Sequence, residues 1–408
     1  MLRKQPEILK NNAISERAQN ESSRLFDFYD ILESVAWLWR FFGVFPMTVR
    51  ELMGIKRYEI NKLFAVLSVI IFVLRIGNFT YVMINFDEHF CKESFRITSA
   101  TILVRAIGNI SCMFASTVYR IPQLSVLSES INAISEQDLF LNKMNCRPYH
   151  ESCVKIIRVC VWTTLLAVLF FIAYDIYGIR RYYNIVSPEY ILWHAGLFVQ
   201  IIDFTVFATL VGLLGLNFYN LNEKIRSVVT RANASSPKVL VTSDVCAEQL
   251  RFISEIHYNM CAVGKRINRV FDWNVVINVM VAFIVVSTTL YYIFYEVQRA
   301  GPTDLSQIFA YIHWELYHSV PIVMIVIVCN LTSHQSVRAG KLIHEIRVES
   351  TDSELYQAVK SFSLQLHHQK LQFTAGGFFP VDSTLLQTMI GKITTYLVIL
   401  IQFKPKLE

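Results

Sequence analysis

Several charged side chains stand inside long apolar stretches of this sequence, among them Arg75, Arg105 and Asp203. A charge at the centre of a bilayer is costly, so such residues pair with one another or face a water-filled cavity. We therefore hypothesise an ion pair that joins Arg75 or Arg105 to Asp203 or Glu315. Such a pair would either contact a ligand or only fix the packing of the segments that carry it.

A second group of side chains combines aromatic rings with a few acidic and imidazole groups near the ends of the same stretches. Rings offer flat apolar surface and a hydrogen-bonding edge, which suits a small organic ligand flanked by polar groups. Tyr and Trp also concentrate at membrane interfaces without any binding role, and that interpretation stays open. The candidate ligand-binding residues are Tyr174, Trp193, His194, Tyr291, Tyr295, Trp314, Glu315 and His318.

Motifs for catalysis and metal binding are missing from the sequence. It contains no Gly-x-Ser-x-Gly, no glycine-rich phosphate loop, no His-Glu-x-x-His and no Cys-x-x-Cys. The pair His367-His368 stands in a polar segment, where a solvated surface explains it better than a metal site does. We expect no catalytic residues, no metal and no cofactor, and therefore no enzyme.

The composition is that of a membrane protein. Of the 408 residues, 53% are hydrophobic and 17% are charged, and the mean hydropathy is +0.39. A soluble globular chain carries about 25% charged residues. The formal net charge of +6 is modest and unevenly distributed, so it bears on membrane orientation, and we expect no nucleic-acid partner.

Seven stretches are long and apolar enough to cross a bilayer as helices of about 20 residues. They run from Leu63 to Ile84, Ile97 to Val118, Val154 to Ile176, Tyr190 to Phe218, Trp273 to Tyr295, Ile308 to Leu331 and Leu385 to Phe403. Another apolar run, Val35 to Val49, is short, carries Arg40 and is broken at Pro46, so we expect an interfacial or re-entrant helix there. The sequence predicts an all-α polytopic membrane protein with seven transmembrane helices.

The orientation follows from the distribution of basic residues. The N-terminal region and the connections that share its side hold 27 of the 38 Lys and Arg residues, whereas the opposite side holds 7. Basic residues concentrate on the cytoplasmic side. We expect a cytosolic N terminus and an extracellular C terminus.

The seventh stretch carries a stripe of small, hydroxyl, amide and aliphatic side chains. At about 100° per residue, its members fall within about 60° of one face of a helix. They are Thr388, Gly391, Thr395, Val398, Ile399 and Gln402. In a lone helix this stripe would be an ordinary seam between helices, but in an assembly it could line a path for ions that closes by dewetting. Lys392 lies about 75° from the centre of the stripe, so we expect it to point aside.

The end of the chain resembles the C-terminal signature of the insect gustatory receptors. Thr395 and Tyr396 precede five apolar residues and then Gln402 and Phe403, and the similarity extends upstream through the run FTAGGFF at 373–379. It covers roughly the last forty residues. The resemblance implies a ligand-gated, nonselective cation channel, a homo- or heterotetramer in the plasma membrane of chemosensory neurons, with the six pore-lining residues above around the axis. It also implies a small-molecule tastant, either a sugar or a bitter compound.

Two other functions remain open at this point. An odorant-receptor-type subunit would need a common co-receptor, and a metabotropic seven-helix receptor would place its N terminus outside the cell.

The predicted organisation has five parts. Residues 1–62 form a cytosolic N-terminal segment with an interfacial helix. Residues 63–331 form a six-helix ligand-binding bundle in contact with membrane lipid, with helical cytosolic connections at 119–153 and 219–272. Residues 332–383 form a cytosolic anchor region, 384–403 the pore-lining helix and 404–408 an extracellular tail.

Overall fold

The computed structural model describes residues 28–52, 54–84, 96–144, 150–183, 188–234, 240–298, 305–348 and 353–402. Within them lie ten α-helices, a 3₁₀ turn at Ile121–Gln123 and two short β-hairpins. The helices are α1 (Phe28–Phe41), α2 (Lys62–Ile84), α3 (Arg96–Ser116), α4 (Leu124–Lys143), α5 (His150–Tyr183), α6 (Pro188–Ala234), α7 (Leu240–Gln298), α8 (Leu305–Ile343), α9 (Ser353–His368) and α10 (Ser383–Gln402). The strands are β1 (Met47–Leu52), β2 (Ile55–Ile60), β3 (Thr374–Ala375) and β4 (Phe379–Pro380).

The predicted spans coincide with seven of these helices, namely α2, α3, α5, α6, α7, α8 and α10. Among the described residues, six of the seven are long and apolar enough to cross a membrane, and the exception is α3. An apolar stretch of this length forms a helix because a helix satisfies every backbone hydrogen bond within itself. The all-α prediction is confirmed.

The prediction for Val35 to Val49 is wrong in its second half. Helix α1 ends at Phe41, and β1 then pairs antiparallel with β2, with Met47 opposite Ile60. Gly43 has a φ of +75° directly after the helix, a conformation that favours glycine. Asn132 of α4 fixes the hairpin through the backbone of Tyr58, since its Oδ1 accepts the Tyr58 N–H at 2.8 Å and its Nδ2 donates to the carbonyl at 3.1 Å.

Helices α6 and α7 form the centre of the fold, and α8 packs against both. They contain 47 and 59 residues, which corresponds to lengths of about 70 and 90 Å at 1.5 Å per residue. A bilayer core is only about 30 Å thick, so each helix extends well beyond it. A Cβ added to Gly215 of α6 would lie 2.5 Å from Thr332 Oγ1 of α8, so the absent side chain permits this close packing.

Helix α6 ends at Ala234. The run NASSP at 233–237 is rich in residues that favour turns, which explains an end of the helix there.

The hairpin β3–β4 positions the start of α10. Gly376 and Gly377 have φ values of +59° and +71° in its turn. Two side chains of α7 hold the hairpin, since Asp272 Oδ1 accepts the Gly376 N–H at 2.6 Å and Asn268 Oδ1 accepts the Thr374 N–H at 3.1 Å. Asp382 Oδ1 then caps α10 by accepting the Thr384 N–H at 2.9 Å.

Candidate functional site

A cleft lies between α5, α6 and α8, and it has a wider and a narrower part. The wider part has a volume of about 440 Å³ and the narrower part about 290 Å³. Cys160, Thr164, Thr205, Ala208 and Met324 line both parts, so the two adjoin. Pockets for small organic ligands have volumes of roughly 300–1,000 Å³. The cleft is therefore large enough for a small organic ligand.

Three of the four threonine hydroxyl groups along the cleft donate hydrogen bonds within their own helices. Thr163 Oγ1 donates to Val159 O at 2.7 Å, and Thr164 Oγ1 donates to Cys160 O at 2.7 Å. Thr205 Oγ1 donates to the carbonyl of the residue three positions earlier at 2.7 Å. Serine and threonine inside helices commonly bond back in this way. These hydroxyls can still accept a hydrogen bond, but they no longer offer a proton to a ligand.

An aromatic cluster closes one end of the wider part. The ring of Phe171, which lines the cleft, lies 4.0 Å from the ring of His313 and 6.3 Å from that of Tyr317, measured between centroids. Tyr174 and His318 extend the cluster, because the Tyr174 ring lies 5.2 Å from His313 and the His318 ring lies 5.0 Å from Tyr317. Edge-to-face and tilted arrangements at these distances are favourable.

The predicted ligand residues separate into two groups. Tyr174 and His318 belong to the cluster beside the cleft, whereas Tyr291 of α7 contacts Tyr292, whose ring stacks on Tyr311 of α8 at 5.8 Å. Tyr295 is half-buried on α7, and Glu315 Oε1 accepts a hydrogen bond from Ser319 Oγ at 3.2 Å. The side chains of Trp193, His194 and Trp314 lie outside the described residues. These placements put only part of the predicted set next to the cleft.

The prediction missed Phe171, His313 and Tyr317, although their spacing offered a signal. Phe171 stands three residues before Tyr174, and His313 stands four residues before Tyr317, so each pair shares a helix face.

The buried ion pair has a different basic partner from the one we expected. Arg120 lies in the turn between α3 and the 3₁₀ turn, and it pairs with Asp203 of α6. Their side chains are only 1% and 0% exposed, and Arg120 Nη2 donates to Asp203 Oδ2 at 2.7 Å. A second hydrogen bond joins Arg120 Nη1 to the other carboxylate oxygen, and Asn274 Nδ2 also donates to Asp203. The hypothesis that paired Asp203 with Arg75 is wrong, and the side chain of Arg105 lies outside the described residues. The guanidinium also lies 4.2 Å from the ring centroid of Phe271, so the group is enclosed by packing and bidentate pairing.

Most of α10 is left exposed by the described residues, and the stripe belongs to that exposed surface. All six residues of the stripe, Thr388, Gly391, Thr395, Val398, Ile399 and Gln402, are exposed, whereas Leu385 and Ile393 are buried. Tyr396 points toward the bundle, since its ring lies 6.4 Å from that of Phe283 on α7. Phe403 lies outside the described residues.

The profile of the family described as 7tm Chemosensory receptor matches residues 32–407 of this chain. That match spans both the helical bundle and α10. The chain belongs to this family.

Several gustatory receptors of Drosophila melanogaster are similar to this receptor. "Gustatory receptor for bitter taste 66a" is 29% identical over 160 residues, which are 38% of this chain and 30% of that protein. "Gustatory receptor for sugar taste 43a" is 32% identical over 132 residues, 31% of this chain and 30% of that protein. The aligned part spans less than half the length of the curated relatives that it matches. The resemblance to insect gustatory receptors is confirmed, and the family is one of chemoreceptors and not of enzymes.

The fold of the receptor is that of a solved insect chemoreceptor. The structure of "the insect olfactory receptor OR5 from Machilis hrabei in complex with eugenol" superposes with a TM-score of 0.64 at 12% sequence identity, over 91% of this chain and 97% of that one. The same receptor in a second structure gives the same TM-score. The receptor is therefore a multi-pass membrane protein with a helical chemoreceptor fold.

Proposed function

We propose that this receptor is a gustatory receptor that acts as a ligand-gated, nonselective cation channel in the plasma membrane of chemosensory neurons. The observation that carries the proposal is the uncovered face of α10. That face holds the small, hydroxyl and amide side chains of the stripe, and none of the residues that the structure describes covers it. Four copies around an axis would enclose these side chains and form a path across the membrane.

The chemistry of the face supports conduction with a gate. Thr395 Oγ1 donates to Gly391 O at 2.9 Å, so its lone pairs remain available to water. Val398 and Ile399, 49% and 41% exposed, interrupt the polar groups with apolar surface. A narrow apolar ring closes a pore by dewetting and opens it when the helices move apart.

Lys392 is exposed on the same helix and is the one basic residue among the described residues of α10. Four ammonium groups in a cation path would repel the permeant ion. Its angular position, about 75° from the centre of the stripe, places it beside the path, toward a neighbouring subunit.

The cleft between α5, α6 and α8 supports the binding of a small-molecule tastant. A ligand that fits the cleft better in the open than in the closed arrangement would shift the equilibrium toward opening. The hairpin β3–β4 offers a mechanical connection, because α7 holds it by two side chains and it leads directly into α10. Relatives described for bitter and for sugar taste both align with this receptor, so both tastant classes are compatible with the proposal.

A cysteine scan of α10 tests the conducting face. Thr395, Val398, Ile399 and Gln402 are replaced singly by cysteine, and a permeant, positively charged thiol reagent is applied while agonist current is recorded. We expect the reagent to change the current at these positions and to have no effect at the buried Ile393 or in the unsubstituted receptor. Normal, reagent-insensitive currents at all four stripe positions would refute the proposed pore.

Two further measurements distinguish the alternatives. An epitope tag at the N terminus should be inaccessible on intact cells, whereas a metabotropic receptor would expose it. Agonist currents from cells expressing this chain alone would indicate a homotetramer, whereas a requirement for a second subunit would indicate a heterotetramer.

A further inference from the structure

We infer that the cleft between α5, α6 and α8 takes a lipophilic ligand with an extended alkyl chain, which enters from the bilayer. The inference rests on the proposed function, because it names the class of molecule that opens the channel. The inference also assigns a position to the far end of the ligand's alkyl chain. That end lies in the narrower part of the cleft, away from the aromatic cluster.

The lining offers very little that a sugar could use. Four threonines line the cleft, and three of them, Thr163, Thr164 and Thr205, direct their hydroxyl protons to carbonyls of their own helices. Thr205 Oγ1 also accepts the indole N–H of Trp39 at 3.0 Å. A polyol that leaves water without new partners for its hydroxyl groups loses the free energy of their hydration, several kcal/mol for each group in an environment that cannot form hydrogen bonds. An alkyl chain has no such groups to satisfy.

The cleft is also elongated. Its lining on α5 extends from Ile156 in the narrower part to Phe171 in the wider part. Fifteen steps along a helix correspond to about 22 Å. A site of this length and of these volumes suits an extended chain better than a compact ring system.

The mouth of the cleft opens on the exposed surfaces of α5 and α8, within their membrane-spanning stretches. Leu316 and Val320 line the cleft, and each is 47% exposed on the surface of α8. Ile156 lines the narrower part and is 61% exposed on α5. All three lie within stretches of α5 and α8 that are apolar enough to cross a membrane. On this inference, the surface around the mouth contacts hydrocarbon. A ligand that reaches this mouth arrives dissolved in lipid, which selects for a lipophilic molecule.

Photolabelling of the full-length receptor in phosphatidylcholine nanodiscs tests the site without any current. The probe is a dodecanol with a diazirine near the end of its chain, and mass spectrometry locates the label. We expect the label on α5, α6 and α8 around the cleft, with protection by excess dodecanol and none by sucrose. Label spread evenly over the lipid-facing helices, or protection by sucrose, would overturn the inference.

A pair of matched variants sharpens the test. Ala208 lines both parts of the cleft, so Ala208→Trp should obstruct their junction and reduce labelling at least tenfold. Ala173 is exposed on α5, and Ala173→Trp adds the same bulk outside the lining. It should change labelling less than twofold. Thermal melting of both variants checks that each is folded, and equal labelling of the two would contradict the assigned site.

Currents evoked by a series of linear alcohols provide the second arm. Each added methylene should raise the potency about fourfold until the chain exceeds the cleft. Ala208→Trp should move this limit to shorter chains and leave the shortest alcohols unaffected. Labelling at the cleft without current, both from this chain alone and together with other gustatory receptor subunits, would refute the proposed channel and leave the site intact. Sugar-evoked current without labelling at the cleft would refute the site and leave the channel intact.

Discussion

Helices α6 and α10 are both apolar enough to cross a membrane, yet the chain surrounds them very differently. Of the most apolar window of α6, 78% is buried within the chain, whereas the corresponding share for α10 is 11%. Helix α7 is also mostly buried, whereas α2 and α5 are mostly exposed, as α10 is. Hydropathy predicts that a helix is shielded from water. It does not predict whether lipid, another helix or another subunit shields it.

Polar contacts across helices follow the same division. Around α6, Asn222 Nδ2 donates to Gln335 O at 2.8 Å and Thr332 Oγ1 donates to Val211 O at 3.0 Å, and both contacts join α6 to α8. In the middle of α10, Thr394 Oγ1 donates to Ile390 O and Thr395 Oγ1 donates to Gly391 O, so both bonds run within the helix. The buried helices thus form a fixed framework, and α10 is held mainly at its start.

The largest effect is expected from breaking the buried ion pair. Asp203→Asn leaves the Arg120 guanidinium charged and enclosed, which should cost about 3–5 kcal/mol of the free energy of unfolding. Surface biotinylation and thermal melting in nanodiscs should both show the loss. The double variant Arg120→Met with Asp203→Leu should regain most of it, because no buried charge remains.

The matched control for this pair is the ion pair Arg251–Glu354, whose side chains are 55% and 50% exposed. Glu354→Gln should change stability by less than about 1 kcal/mol, since solvent screens the pair. An equal loss in both variants would mean that the framework does not depend on burial at Asp203.

A smaller effect is expected within α10 itself. Leu385→Ala removes a buried side chain and should lower stability by about 2–3 kcal/mol. Val398→Ala acts on the uncovered face and should cost less than about 0.5 kcal/mol in the single chain. Thermal melting in dilute detergent compares the two, and a larger loss from Val398→Ala would show that subunits contact through that residue even under these conditions.

The smallest effect concerns the hairpin that connects the two regions. A Cβ at Gly376 would lie 2.8 Å from Val276 Cγ2 of α7 and 2.8 Å from Phe378 Cδ2, whereas Gly377 has nothing within 4 Å. Both glycines have positive φ, so alanine strains either position by about 1 kcal/mol or more. We expect Gly376→Ala to cost about 1 kcal/mol more than Gly377→Ala, because it also disturbs the contact with α7. Melting midpoints of the two variants measure the difference, and identical midpoints would show that this contact contributes nothing.

Much of the fold could be predicted from the sequence, because the relevant signal is local. Apolar runs predicted the seven long helices within several residues at most starts. Helix ends outside the apolar stretches were harder to predict. Helices α6 and α7 continue without a break well beyond the length that is needed to cross a membrane. The β1–β2 hairpin was missed because its stability depends on Asn132, which is 74 residues from Tyr58 along the chain.

The candidate site was only partly predictable. Tyr174 and His318 were identified because aromatic and imidazole groups stand out in apolar stretches, and the structure places both beside the cleft. The cleft itself is lined mainly by ordinary apolar residues and threonines. Such residues carry no signal until three helices bring them together.

Hydropathy and a short terminal motif are local properties, so the amino-acid sequence alone was enough to predict a polytopic membrane protein of a chemoreceptor type. The pairing of Asp203 with Arg120, 83 residues away, and the exposure of the stripe on α10 became visible only in the folded chain. A buried charge pairs with whichever opposite charge the packing brings within hydrogen-bonding distance. Whether a helix face lines a pore or packs against another helix depends on the segments that surround it. Both depend on the arrangement of distant segments.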